Sequence, residues 1–567
     1  MADELLTRKR KTARPGQLTL IDAGVPGLDL VLGGGIPALS FNLIAGSPGA
    51  GKTTLAMQIL FANASPKRPG LYITLLGETS LKMLRYQQLF DFFDAKRVGS
   101  DVHFLNLSAE ALSGDMQGVL KRITDEVDRL HPEVVVVDSF RSLVRAQGPE
   151  FPTGDLEKFV QRLAVHLTTW EITSFLIGEY PEAEFRDPVF TVADGILWLS
   201  QESNRNSVVR RLQVVKSRGM ATMPGLHTMR MTHAGVQVFP RTPEHIDSLH
   251  VRATDRLSTG IAGLDEMMGG GIPAGDSLVL AGPTGTGKTT FAMKFISEGL
   301  RTGGAAVIAI FEEHPDVYLE RAKSLEVDLR DAIRGNKLRI IYMRPLDLSV
   351  DETLDEIRRA VEAIGASRVV IDSISGFEMA LAPAFREDFR ESLYRLIGAL
   401  TRLGVTMFST VEVVGEGRGL QLTGHQVSFL TDDILSQRYV EIEGQLRKAL
   451  VVVKMRGSAH SREFRTYELT ASGVQLGESL RDYDGIISGM PTRQPRVPQT
   501  SHPGLMEPEV LVLEVLIRSG PLTPAEVARL TGVAAEDVQR HLDRLVELRY
   551  ASRQDGRFKP EARTNGF

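Results

Sequence analysis

Hydrophobic and polar positions along the chain follow a repeating order. A short, mostly apolar run leads into a glycine-rich turn, and an amphipathic stretch follows. Residues 40–45 and 277–281 are such runs, and the patterns after their glycines predict helices over 54–62 and 290–300. Further apolar runs lie at 70–75, 134–137 and 173–177, then at 306–311, 368–371 and 405–409, with helical patterns between them. A strand that is apolar throughout is buried on both faces. Such strands alternating with helices predict a parallel α/β sheet covered on both sides.

The order is present twice, in register. Gly24-Val25-Pro26-Gly27-Leu28-Asp29 and Gly33-Gly34-Gly35-Ile36-Pro37 precede the first glycine turn. Gly260-Ile261-Ala262-Gly263-Leu264-Asp265 and Gly269-Gly270-Gly271-Ile272-Pro273 precede the second. Gly24 and Gly260 are 236 positions apart, as are Lys52 and Lys288 (260 − 24 and 288 − 52). A constant offset marks one module copied in tandem. The expected domains are 15–247 and 248–485, after a basic tail, 1–14, that contains Arg8-Lys9-Arg10-Lys11. Pro491, Pro495, Pro498 and Pro503 break any periodicity, so 486–503 reads as a linker. Beyond it, helices are expected over 508–519, from Pro524 behind the cap Thr523, and over 534–548. Strands at 550–552 and 557–559 then flank Gln554-Asp555-Gly556. Three helices and a hairpin predict a winged helix-turn-helix-like domain over 504–560, with a tail at 561–567.

The glycine turns are P-loops. Gly46-Ser47-Pro48-Gly49-Ala50-Gly51-Lys52-Thr53 and Gly282-Pro283-Thr284-Gly285-Thr286-Gly287-Lys288-Thr289 both fit G-x-x-x-x-G-K-[ST]. In this motif backbone N–H groups surround the phosphates, the lysine reaches the terminal phosphates and the threonine hydroxyl meets Mg2+. Gly49, Ala50, Gly51, Lys52, Thr53 and Thr54, with Gly285, Thr286, Gly287, Lys288, Thr289 and Thr290, are the candidate ATP contacts. Asp138 and Asp372 close apolar strands in register with these loops, as Walker B acids do. Glu312-Glu313 follows the strand at 306–311, where paired carboxylates suit a general base and a metal partner. Glu312, Thr53 and Thr289 are the candidate Mg2+ positions. The first module carries Gly77-Glu78 at the same place, one carboxylate short. Lys216 and Arg218 recur as Lys454 and Arg456, and each pair projects from one face of a strand. Such a pair suits a phosphate, on the same chain or an adjacent subunit, or else a surface ion pair.

Composition narrows the classes. A chain of 567 residues exceeds the size of a single core. The absence of Cys excludes disulfides and thiolate metal sites and fits a cytoplasmic protein. No apolar run approaches the ~20 residues of a membrane span, so no membrane partner is expected. The net charge of −5 provides no global attraction to nucleic acid. From Gly504 onward nine Lys/Arg face ten Asp/Glu. Arg540, His541 and Arg544 are the residues a DNA-reading third helix would offer, but this balance favours a protein partner there.

These motifs together resemble the KaiC family, tandem RecA-like ATPases best known from the cyanobacterial circadian clock. The resemblance spans about residues 15–485 and includes Tyr439-Val440-Glu441-Ile442 and Lys454-Met455-Arg456-Gly457-Ser458. It implies double-ring hexamers with ATP between subunits, hydrolysis in the first ring, and autokinase, autophosphatase and ATPase activity in the second. It also implies Glu312 as general base, and Lys216, Arg218, Lys454 and Arg456 as contacts to a neighbour's ATP. The family's phosphorylated Ser-Thr pair falls on Ser428-Phe429, which leaves Ser428 and the nearby Thr431 as candidate acceptors. Gly77 puts hydrolysis in the first ring in question. An ATP-gated scaffold read through the C-terminal domain is therefore the alternative to an autokinase switch. A RecA-like DNA motor is less favoured.

Overall fold

The computed structural model describes residues 18–75, 80–113, 115–139, 153–180, 188–204, 207–241, 255–324, 328–343, 348–386, 389–413, 431–471, 473–487, 491–493 and 505–561. Residues 1–480 form one compact unit and 481–567 another.

Within the first unit the described residues form two nine-stranded sheets of the same topology. In the first, the P-loop strand Phe41–Gly46 lies between Thr173–Glu179 and Gly195–Asn204, parallel to both. Val134–Asp138, Gly70–Thr74 and Val102–Asn106 continue the parallel side. Ser207–Ser217, His227–Thr232 and Gly235–Phe239 close the other side antiparallel. The second sheet repeats the order around Ser277–Gly282. Thr406–Glu412, Arg368–Asp372, Ala306–Ile310 and Leu338–Tyr342 lie on one side. Asp433–Ile442, Gln445–Met455, Arg465–Thr470 and Gly473–Ser479 lie on the other.

Alternation along each strand explains why both faces are covered. Val135 and Val137 join the core under the helices Met116–Leu130 and Thr153–Thr169. Val134 and Val136 join the core under the P-loop helix Lys52–Asn63. The second repeat is divided the same way. The two P-loop helices start at Lys52 and Lys288, two residues before the sequence pattern begins, because the lysine and threonine of each motif already occupy the first turn. The strands read as 173–177 and 405–409 run on to Glu179 and Glu412.

The second unit contains helices Glu507–Ser519, Pro524–Thr531 and Ala535–Glu547, then the hairpin Ala551–Gln554 and Arg557–Pro560. Val512, Leu516, Val527, Val538, Leu542 and Phe558 form its core. Part of the stretch read as a linker is ordered by pairing, since Thr492–Arg493 lies antiparallel to Tyr483–Asp484.

Candidate nucleotide-binding sites

Each P-loop turns through glycines in conformations that side chains resist. Gly51 and Gly287 cap their helices at φ of 100° and 95°. A Cβ on Gly287 would lie 2.6 Å from Leu469 Cδ1, so the second loop packs against the sheet at glycine distance. Tyr467 OH donates to Thr286 O at 2.8 Å and Tyr439 OH to Thr284 O at 3.2 Å, which fixes that loop from two strands. Lys52 Nζ donates to Gly46 O and Ser47 O at 2.9 and 2.7 Å. Lys288 repeats this with Gly282 O and Pro283 O at 2.9 and 2.8 Å. Burial lowers the pKa of both lysines, and nearby carboxylates oppose it: Glu179 and Asp138 for Lys52, and Glu412, Asp372 and Glu312 for Lys288.

Glu179 and Glu412 were missed by the sequence reading. They end strands whose apolar runs stop two or three residues earlier, where Gly178-Glu179 and Thr410-Val411-Glu412 look like loop. The hydrogen-bonded ladder nevertheless continues, pairing Gly46 with Glu179 and Gly282 with Glu412. Both carboxylates therefore stand beside a P-loop.

Asp138 and Asp372 end their strands next to the loops. Thr53 Oγ1 donates to Asp138 Oδ2 at 2.9 Å, and Thr410 Oγ1 donates to Asp372 Oδ1 at 2.5 Å. Burial raises both carboxyl pKa values, against the hydrogen bonds they accept. Ser373 Oγ donates to Glu312 Oε1 at 2.6 Å and itself accepts from Gly376 N–H at 2.9 Å, which aims the glutamate at the site. Glu313 lies 3.0 Å from Arg321, and burial raises its pKa. A cavity of about 760 Å³ brings together Gly285, Gly287, Lys288, Thr289, Thr290, Glu312, Glu313, Asp372 and Glu412. Its hydroxyl and carboxylate oxygens are the hard donors that Mg2+ takes, so the residues present fit that ion.

Several sequence expectations change. Glu78 and Gly77 lie outside the described residues, as does Ser428. Gly70 opposes Val134 as Ala306 opposes Arg368, and counted on in sequence at that offset Glu312 corresponds to Leu76 and Glu313 to Gly77. Thr431 is fully buried. Lys216 Nζ donates to Phe190 O and Thr191 O, and Arg218 pairs with Asp194 at 3.0 Å. Lys454 Nζ likewise donates to Thr431 O, and Arg456 lies 3.4 Å from Asp432. In the second unit Arg544 lies 3.0 Å and His541 3.9 Å from Glu509, whose other oxygen accepts Met506 N–H. Arg544, one of the three residues suited to DNA readout, is thus held by an internal carboxylate, and Arg540 pairs with Asp537.

Two nucleotide-site modules in one chain, with the same strand order and the same motif placements, define a tandem RecA-like ATPase. The family model described as KaiC ATPase matches residues 21–243 and again 257–481. The chain belongs to the KaiC family. A MarR family model matches residues 504–557. Among relatives, the circadian clock oscillator protein KaiC of Parathermosynechococcus lividus is 29% identical over 484 residues, covering 83% of this chain and 87% of the relative. The protein of the same description from Prochlorococcus marinus is 28% identical over 487 residues, covering 84% and 96%. Among the described residues no helix is long and apolar enough to cross a membrane.

Proposed function

We propose that this chain is a ring-forming, ATP-driven switch of timing or signalling that hydrolyses ATP at its second site and carries serine/threonine autokinase capacity there. The observation behind the reading is the placement of Glu312. Ser373 holds its carboxylate in the same cavity as Lys288, Thr289 and Asp372. A general base needs this geometry first and a suitable pKa second. Phosphates on the Gly285–Thr290 amides would draw Lys288 from its two carbonyls onto phosphate oxygens. Mg2+, held near Thr289 and the site carboxylates, would supply charge neutralisation for the transferring phosphoryl group. Glu312 would accept the proton of either an attacking water or an acceptor hydroxyl. Ser428 is the candidate acceptor, because the burial of Thr431 counts against it. The relatives' description as clock oscillators supports timing as the output.

On this reading the rings are hexamers in the cytoplasm. The winged-helix unit receives a regulatory protein in preference to nucleic acid, since Glu509 pairs with Arg544.

The test is intact mass and phosphopeptide mapping after incubation with Mg-ATP, beside phosphate release. Wild type should gain phosphate at Ser428, and Lys288→Ala should not. Phosphate persisting in the variant would remove kinase chemistry from the second site. Hydrolysis without any phosphopeptide would favour the scaffold reading.

A further inference from the structure

The two Walker-type aspartates are anchored from opposite sides. In the first repeat the fully buried Tyr72 donates from its phenol to Asp138 Oδ2 at 2.6 Å, the same oxygen that accepts from Thr53 at 2.9 Å. Tyr72 opposes Val136 on the aspartate's strand. The corresponding residue in the second repeat opposes Val370 and is Ile308, which is apolar. There the anchor comes from the strand on the other side. Thr410, also fully buried, donates to Asp372 Oδ1 at 2.5 Å. Thr410 opposes Leu280, two residues before Gly282. The matching place in the first repeat, opposite Ile44 and two residues before Gly46, is Ile177. The pair Tyr72 and Ile177 has thus exchanged polarity with the pair Ile308 and Thr410.

A buried carboxylate must accept hydrogen bonds to remain charged there, and a donor outside the ligand set also fixes its orientation. In each repeat one flanking strand supplies a buried hydroxyl and the other an isoleucine. We infer that Tyr72 and Thr410 are interchangeable positioning residues, each orienting its aspartate toward the divalent cation that accompanies the nucleotide. They differ in which oxygen they engage. At the first site the oxygen facing Thr53 already accepts two hydrogen bonds, whereas Thr410 takes Oδ1 of Asp372. The inference rests on reading both P-loops as metal-nucleotide sites.

The experiment uses the full-length chain carrying Lys288→Ala, which leaves the first P-loop as the intact site. Mn2+ serves as probe, with free ion followed by electron paramagnetic resonance in the presence of ADP. Tyr72→Phe should weaken Mn2+ binding about tenfold, the lower end of what loss of an orienting donor costs a metal site. ADP binding without metal should stay within about twofold of the parent. Adding Ile177→Thr supplies the hydroxyl from the second repeat's position and should recover most of the loss. Thr410→Val in a Lys52→Ala chain is the reciprocal arm, and it decides the matter if the double variant does not fold. Unchanged Mn2+ affinity in both Tyr72→Phe and Thr410→Val would overturn the inference, as would an equal loss of metal-free ADP binding. A folded double variant that recovers nothing would also overturn it. A Lys288→Ala parent that binds no Mn2+ with ADP would sink the nucleotide-site reading itself, and this inference with it.

Discussion

Glu312 stands two residues past the end of its strand and accepts a short hydrogen bond from Ser373. In sequence, the repeat offset of 236 puts Leu76, not Glu78, at the Glu312 position. A base held in alignment contributes about 10²–10⁴-fold. Glu312→Gln should therefore remove at least about 99% of second-site phosphate release, while Glu78→Gln has a smaller effect on total turnover. The reverse order in steady-state assays would show that the first repeat dominates hydrolysis. Motif residues such as Lys52, Thr53, Lys288 and Thr289 were legible because the P-loop spacing is itself the chemistry. Tyr72, Thr410 and Ser373 were not. Each looks like an ordinary strand or cap residue until register brings it against a carboxylate from another strand.

At the scale of elements, His227 opens the strand His227–Thr232 and is fully buried. Its Nδ1 accepts Arg241 N–H at 2.9 Å, so its proton resides on Nε2, 3.2 Å from Met223 O. Burial lowers its pKa below the ordinary histidine value. The native state then binds fewer protons than the unfolded chain, so this contribution is present above about pH 6.5 and is lost as pH falls below it. Stability of the first repeat should decline as pH falls below about 6.5, and His227→Gln should flatten that decline in urea titrations. A variant retaining the full slope would reject His227 as the source. In the winged-helix unit, Glu509 joins the start of Glu507–Ser519 to Arg544 on Ala535–Glu547. Glu509→Ala removes an N-terminal acceptor and an ion-pair partner together and should cost about 2 kcal/mol. Hydrogen exchange in Glu507–Ser519 should speed accordingly, and unchanged protection would refute the link. The core strands were readable from apolar runs because a parallel strand is buried on both faces. Their polar ends, Glu179 and Glu412, were hidden because ladder hydrogen bonds extend a strand beyond its apolar run.

For the whole molecule, the Lys-Arg pairs lie away from the P-loop of their own repeat. Lys216 opposes Ile196, level with Leu43 on the P-loop strand, and Lys454 opposes Ile434, level with Val279. Three strand residues, about 10 Å, separate those levels from Gly46 and Gly282, where the loops begin. Arg218 and Arg456 lie further away still, level with Phe41 and Ser277, the first residues of the P-loop strands. That distance separates each pair from the P-loop of its own repeat, and on the proposed ring reading one subunit would give the P-loop and its neighbour the arginine. The ion pairs to Asp194 and Asp432 leave both arginines more than half exposed, and exposed pairs of this kind are worth about 0–1 kcal/mol, little to break on assembly. Lys288→Ala and Arg456→Ala should each lose second-site hydrolysis when assayed alone. Mixed one to one and reassembled with ATP, they should regain activity at about a quarter of interfaces, those pairing an intact P-loop with an intact arginine in a head-to-tail ring. If the mixture stays as inactive as its parts while rings form normally, Arg456 belongs to the ion pair with Asp432 and not to a neighbour's nucleotide.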